Sequence, residues 1–179
     1  AQIQAVQLVF ENSALVITGG PGTGKTATAY ELARQTGRDI IQVQVTDFKD
    51  KYVGESESKL KAIFKNYRSC CKKGKNIPIL LLNEGDAILS KRSTNVEKSV
   101  DQMANSLQNI LLEEMENLEG IMIVTTNLSL RELKNPADMA QQRIYDRILE
   151  MCVPVCFNGE SLRQEKAREN MQRYLQLTG

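Results

Sequence analysis

Two patterns of hydrophobic and polar positions alternate along the chain. Short apolar runs, or strict alternation of apolar and polar residues, predict strands. These strands are expected at 13–18, 39–45, 77–83, 120–127 and 153–157. Apolar residues three and four positions apart predict helices at 2–11, 25–36, 56–73, 96–118, 135–152 and 161–177. Because strands and helices alternate, we predict an α/β three-layer sandwich: a parallel sheet of about five strands with helices on both faces.

A glycine-rich turn follows the first predicted strand. The sequence GGPGTGKT has the spacing G-x-x-x-x-G-K-[ST], met by Gly19, Gly24, Lys25 and Thr26. Such a turn, between a strand and a helix, points backbone N–H groups and the helix N-terminus at phosphate. We expect Lys25 to reach the β- and γ-phosphates of ATP and Thr26 to bind Mg²⁺. The residues expected to contact the nucleotide here are Gly20, Pro21, Gly22, Thr23, Gly24, Lys25, Thr26 and Ala27.

The third predicted strand ends in polar residues, as a hydrolytic site requires. In ILLLNEGDAIL (79–89), Glu84 is the candidate that polarises the attacking water. Asn83 takes the position where a carboxylate usually organises Mg²⁺, and an amide binds this ion more weakly. Asp86 has two interpretations: it compensates for the missing carboxylate, or it caps the helix that follows, which we favour.

Composition and charge narrow the function classes. The 179 residues are expected to form one domain, with 23 Lys and Arg against 22 Asp and Glu, which disfavours a uniformly basic nucleic-acid binder. The chain has no His, and its four Cys lack C-x-x-C spacing, so they are expected to be ordinary thiols of a cytoplasmic protein. No apolar run suits a membrane span or a signal peptide. Since the chain starts at Ala1 rather than Met, we expect it to be a piece of a longer one.

Together these motifs resemble the AAA+ ATPases over about residues 13–165. The resemblance identifies 19–26 as a Walker A loop and the end of the third strand as a modified Walker B motif. Asn127, in TTN at the end of the fourth strand, is similar to the sensor 1 residue that helps to place the water; the alternative is an ordinary turn residue. RIYDR (143–147) resembles an arginine-finger segment, with Arg143 the first choice and Arg147 the second. A finger acting in a neighbouring subunit implies a homo-oligomeric ring or spiral; the alternative is two surface arginines.

Two parts of the chain resemble different relatives. DKYVGESESKLKAIF (50–64) resembles the protein-remodelling AAA clade, in which a loop like Tyr52, Val53 and Gly54 faces a central pore and grips a polypeptide. The alternative is that Tyr52 packs against its own domain. The resemblance implies an ATPase that remodels or threads a protein partner.

The C-terminal part instead resembles helicase loaders of the DnaC/DnaI type and their phage relatives. Gly159, Ser161 and Arg163 match a turn whose arginine, sensor 2, contacts the nucleotide in the same subunit; a surface arginine is the alternative. Residues 158–179 are expected to form a helix in place of the larger helical lid of the AAA clade. This resemblance implies a replicative helicase and single-stranded DNA as partners, although the basic stretch 68–76 is more typical of a solvated helix end. A third possibility, favoured by Asn83, is an ATP-gated interaction module with little turnover.

Overall fold

Five parallel strands form one sheet in the computed structural model, which describes residues 13–44, 53–89, 98–136, 139–159 and 161–178. The strands are β1 (Ala14–Gly19), β2 (Ile40–Gln44), β3 (Ile79–Asn83), β4 (Ile121–Thr126) and β5 (Val153–Phe157). Their order is β2-β3-β4-β1-β5, and every neighbouring pair is parallel. The predicted parallel sheet is therefore confirmed.

Seven helices lie within the described ranges and connect or follow these strands. They are α1 (Lys25–Thr36), α2 (Val53–Lys73), α3 (Asp86–Leu89), α4 (Lys98–Glu116), α5 (Leu130–Lys134), α6 (Met139–Met151) and α7 (Leu162–Thr178). The predicted bounds of α1 and β5 are confirmed. The short α5 was missed, although its capping box is visible in the sequence: Ser129 accepts from the N–H of Glu132, whose side chain accepts from the N–H of Ser129.

Two apolar clusters cover the two faces of the sheet, because successive strand residues point to opposite sides. On one face Leu15, Ile17 and Ile123 pack with Leu32 of α1. On the other face, strand residues including Val16 and Leu80 pack with the following helix residues: Leu60, Phe64 and Tyr67 of α2, Leu107 and Leu111 of α4, and Tyr145 and Ile148 of α6. The three-layer architecture is confirmed. It also brings the carboxyl ends of β1, β3 and β4 to one edge, where open α/β sheets bind ligands.

Several features differ from the sequence predictions or lie beyond them. Helix α2 begins at Val53, so Val53 and Gly54 belong to a first helical turn rather than to a loop, while Tyr52 lies outside the described residues. The helix predicted at 2–11 lies outside them as well. The four cysteines form no disulfide. Within the described ranges, no helix is both long enough and apolar enough to cross a membrane.

Candidate functional site

The glycine-rich turn joins β1 to α1 in a conformation that its glycines make possible. Gly24 precedes α1 with φ of 89°, a left-handed conformation that other residues rarely adopt. Gly19 ends β1 with φ of 148°, and a Cβ there would lie 2.5 Å from the carbonyl oxygen of Phe157 in β5. Both positions therefore require glycine, and the turn leaves the N-terminus of α1 open to a ligand.

Lys25 is the first residue of α1 and is buried, with 8% of its surface exposed. Its Nζ donates to the carbonyl oxygens of Gly19 and Gly20, each at 2.7 Å, and to Oδ1 of Asn127 at 2.9 Å. Burial lowers the pKa of Lys25 below its ordinary value of 10.5, and the charge of Asp86 partly opposes this. The three acceptors thus hold a desolvated cation at the mouth of the turn.

Asn83 is the centre of a network of neutral side chains at the end of β3. Its Oδ1 accepts from the hydroxyls of Thr26 and Thr125, both at 2.8 Å, and its Nδ2 donates to Gln44 at 3.2 Å. The amide uses both ends, so Asn83 fits its site without a charge. Sequence reasoning missed Thr125 and Gln44; their position at the ends of β4 and β2 was the available signal.

Glu84 follows β3 in a sharp turn with φ of 58°, the one left-handed residue other than glycine among those described. Its N–H donates to the hydroxyl of Thr125 at 3.2 Å, and the next N–H, of Gly85, donates to the carbonyl of Thr125 at 2.8 Å. A left-handed conformation costs roughly 1–2 kcal/mol. These bonds hold the turn, which places Glu84 on the rim of the same cavity as Lys25.

Asp86 does not lie before the helix as a cap; it is the first residue of α3. Its Oδ1 accepts from the backbone N–H of Asn127 at 2.9 Å, and its Oδ2 accepts from Nδ2 of Asn127 at 2.8 Å. The favoured capping interpretation is therefore wrong: Asp86 lies within the helix, and both of its carboxylate oxygens accept from Asn127 at the end of β4. Hydrogen bonds therefore join Lys25 to Asn127 and Asn127 to Asp86.

A cavity of about 330 Å³ opens at this edge of the sheet. It is lined by Pro21, Gly22, Gly24, Lys25, Thr26, Ala27, Asn83, Glu84, Thr125, Thr126, Asn127 and Arg163. Of the predicted turn residues, Gly20 and Thr23 are not among the lining residues; the Thr23 hydroxyl instead donates to the Gly20 carbonyl at 2.8 Å. The cavity thus joins residues from the ends of three strands and from the start of α7.

Arg163 reaches this cavity because the start of α7 packs against the glycine-rich turn. A Cβ at Gly22 would lie 2.3 Å from Oγ of Ser161 and 3.5 Å from Cγ of Arg163. Only glycine leaves room for this contact. Gly159 lies before α7 and is exposed.

The two arginines of α6 are not among the residues that line the cavity. Arg143 is exposed, and Arg147 forms an ion pair with Glu116 of α4. Arg68, in the basic stretch, forms an ion pair with Glu114. The arrangement within one chain therefore leaves Arg143 the more available of the two α6 arginines for a neighbouring molecule.

The chemistry of the cavity fits a nucleotide phosphate with a magnesium ion. Lys25 and the N-terminus of α1 supply positive charge for phosphate, and Thr26 and Asn83 supply oxygen atoms that could bind Mg²⁺, while Glu84 is placed to polarise water. Among the described residues, no group of three or more His, Cys, Asp or Glu could hold a metal by itself. Proteins often bind Mg²⁺ through one or two side chains together with the phosphates of a substrate and water.

Comparison with known proteins matches this chain to a family of ATPases. Residues 15–150 match the family described as "ATPase family associated with various cellular activities (AAA)". The chain is 31% identical to the proteasome-activating nucleotidase of Archaeoglobus fulgidus over 147 residues, or 81% of this chain and 35% of that protein. It is 33% identical to the ATP-dependent zinc metalloprotease FtsH 2 of Thermoanaerobacter sp. (strain X514) over 111 residues, or 62% of this chain and 20% of that protein. The chain thus spans about a third or less of these relatives.

Proposed function

Because the chain belongs to the AAA family of ATPases, we propose that it binds ATP with Mg²⁺, hydrolyses it, and uses the turnover to remodel or thread a protein partner. One observation carries the proposal: a single cavity collects Lys25 from the start of α1, Glu84 from the end of β3 and Asn127 from the end of β4. Lys25 would hold the β- and γ-phosphates. Thr26 would help to hold the Mg²⁺, and Glu84 would polarise the attacking water. The chain would act as one ATPase domain.

Glu84 is the residue we assign to polarising the water. Glu84→Gln keeps the size of the side chain but removes the charge that draws a proton from water. We expect ATP to bind the variant as it binds wild type, while kcat falls by about 10²–10⁴. Glu119→Gln, in the turn before β4, is the matched control because it makes the same change away from the cavity. Turnover of Glu84→Gln at the wild-type rate would overturn the assignment.

The active site is proposed to be completed by a second copy of the chain. Arg143 is exposed and lies outside the lining of its own cavity, as a residue that acts on a neighbour's nucleotide must. A homo-oligomer predicts that hydrolysis per protomer rises with protein concentration at saturating Mg²⁺, and that Arg143→Ala abolishes the rise. A rate per protomer that stays constant over the range in which oligomers form would count against this arrangement.

A protein substrate is supported by the kind of relatives found. They include a proteasome-activating nucleotidase and an ATP-dependent zinc metalloprotease. We propose that Tyr52, Val53 and Gly54 contact the polypeptide. Tyr52→Ala should then spare ATP hydrolysis and reduce unfolding of a tagged substrate protein, and equal unfolding by the variant would contradict this role.

The position of Arg163 favours a second candidate, a helicase-loader type of ATPase. This arginine lines the cavity, as a sensor 2 residue would, and it does so from the α7 segment that resembles the loaders. That function predicts ATP-dependent binding of labelled single-stranded DNA, measured by fluorescence anisotropy. Anisotropy that does not change at micromolar protein would exclude it and favour a protein partner.

Binding of ATP without turnover at any concentration would instead support the ATP-gated interaction module.

A further inference from the structure

We propose that Asp86 is a positioning residue: its carboxylate holds the amide of Asn127 with the oxygen toward Lys25, and this orientation determines how the site distinguishes ATP from ADP. The inference rests on the proposed nucleotide function and adds a residue to it. Asp86 lies two positions beyond Glu84 and is not among the residues that line the cavity, so it acts through Asn127.

Asn127 makes two hydrogen bonds to the carboxylate of Asp86. The backbone N–H of Asn127 donates to Oδ1 of Asp86 at 2.9 Å, and Nδ2 of Asn127 donates to Oδ2 at 2.8 Å. The first bond fixes the main chain at the end of β4, and the second fixes the rotation of the amide about its terminal bond. Hydrogen bonds to a carboxylate are stronger than neutral ones, so this orientation is well determined.

The charges on either side of Asn127 allow only one orientation of its amide. With Nδ2 on Asp86, Oδ1 faces Lys25 and accepts from its Nζ at 2.9 Å. The reversed amide would set Oδ1 against the carboxylate and Nδ2 against the ammonium group, two like contacts in place of two hydrogen bonds. Asn127 therefore presents an acceptor, not a donor, to the phosphate region.

This orientation gives Asn127 a specific task. Nζ of Lys25 has three hydrogens, which here go to Gly19, Gly20 and Asn127. Lys25 can bind a terminal phosphate when its Nζ gives up the hydrogen bonds to the two backbone carbonyls of the turn. The hydrogen bond to Asn127 remains and serves as the anchor of the ammonium group. A γ-phosphate then gains an ammonium group that is aimed at it, and ADP, which offers Lys25 only its β-phosphate, lacks this additional contact. Freeing the amide from Asp86 removes the anchor.

The test compares the ratio of Kd for ADP to Kd for ATP in four proteins: wild type, Asp86→Asn, Asn127→Ala and the double variant. Displacement of a fluorescent nucleotide at fixed Mg²⁺ measures both constants. We expect Asp86→Asn to lower the ratio about tenfold, and the double variant to have the same ratio as Asn127→Ala: the backbone N–H of residue 127 still donates to Asp86 in that variant, but no amide is left to orient. Asp39→Asn is the matched control, because Asp39 is exposed at the opposite, amino-terminal edge of the sheet.

A merely structural role gives a different result. Local unfolding would weaken both nucleotides together and lower Tm without nucleotide, leaving the ratio unchanged. An unchanged ratio in Asp86→Asn, or a double variant in which the two effects add, overturns the inference. Because the ratio is read from binding alone, wild-type protein that binds ATP without hydrolysing it would overturn only the hydrolysis proposal and leave this test intact.

Discussion

Removing the side chain of Lys25 should separate nucleotide binding from folding. Two charge-assisted hydrogen bonds to phosphate oxygens contribute about 3–6 kcal/mol, against which Lys25 gives up bonds to the protein. A net loss of about 2.8 kcal/mol in Lys25→Ala weakens ATP binding about 100-fold. Without nucleotide, we expect Lys25→Ala to lower the free energy of unfolding by no more than about 1 kcal/mol. The acceptors at Gly20 and Asn127 are exposed, so water replaces the ammonium group, and a buried cation is removed.

Thermal unfolding with and without ATP measures both effects. At an ATP concentration of about 100 times Kd, the wild-type protein gains about 2.7 kcal/mol, which corresponds to a Tm increase of about 5–11 °C. At the same concentration Lys25→Ala should show almost no increase, while its Tm without ATP stays near that of wild type. Lys61→Ala, an exposed lysine of α2, makes the same charge change and should behave as wild type. An ATP-dependent increase in Tm of wild-type size in Lys25→Ala would show that Lys25 does not bind the phosphates.

Three further predictions follow from other contacts. Asn83→Asp adds a carboxylate where the structure has an amide, so the Mg²⁺ concentration for half-maximal hydrolysis should fall about tenfold; an unchanged Mg²⁺ titration would contradict this. The Tyr67 hydroxyl accepts from the N–H of Ile121 at 2.7 Å, so Tyr67→Phe should lower the free energy of unfolding in urea by about 1–3 kcal/mol, whereas a loss near zero would mean that water replaces the hydroxyl. Burial raises the pKa of the Cys152 thiol from 9.0 to about 12, so stability from its protonated form is complete below pH 9 and is lost as pH rises toward 12. Urea unfolding at pH 8 and 10.5 should show this loss in wild type and less of it in Cys152→Val, and a thiol reagent at pH 8 should modify exposed Cys70 first.

The departures from prediction have physical causes that can be identified. Helix α2 begins at Val53 rather than at 56, because the residues before its apolar face can join a helix without contributing to the periodic pattern. Aspartate is a residue type that often caps helices, but the carboxylate of Asp86 instead accepts hydrogen bonds from Asn127 at the end of β4. In the first case the local pattern misplaced the start of a helix, and in the second it gave the wrong partner for a side chain.

The sheet, the glycine-rich turn and the candidate residues at the strand ends could all be predicted from the sequence. These depend on spacing over a few residues, and parallel strands bring their carboxyl ends to one edge whatever their order. Which of these residues contact one another depends on the tertiary structure. Lys25 bonds Asn127 across 102 positions of sequence, Asp86 bonds Asn127 across 41, and Ser161 packs on Gly22 from the far end of the chain. No spacing rule joins such residues, because their distance is set by the order β2-β3-β4-β1-β5 and by the packing of α7 on the turn.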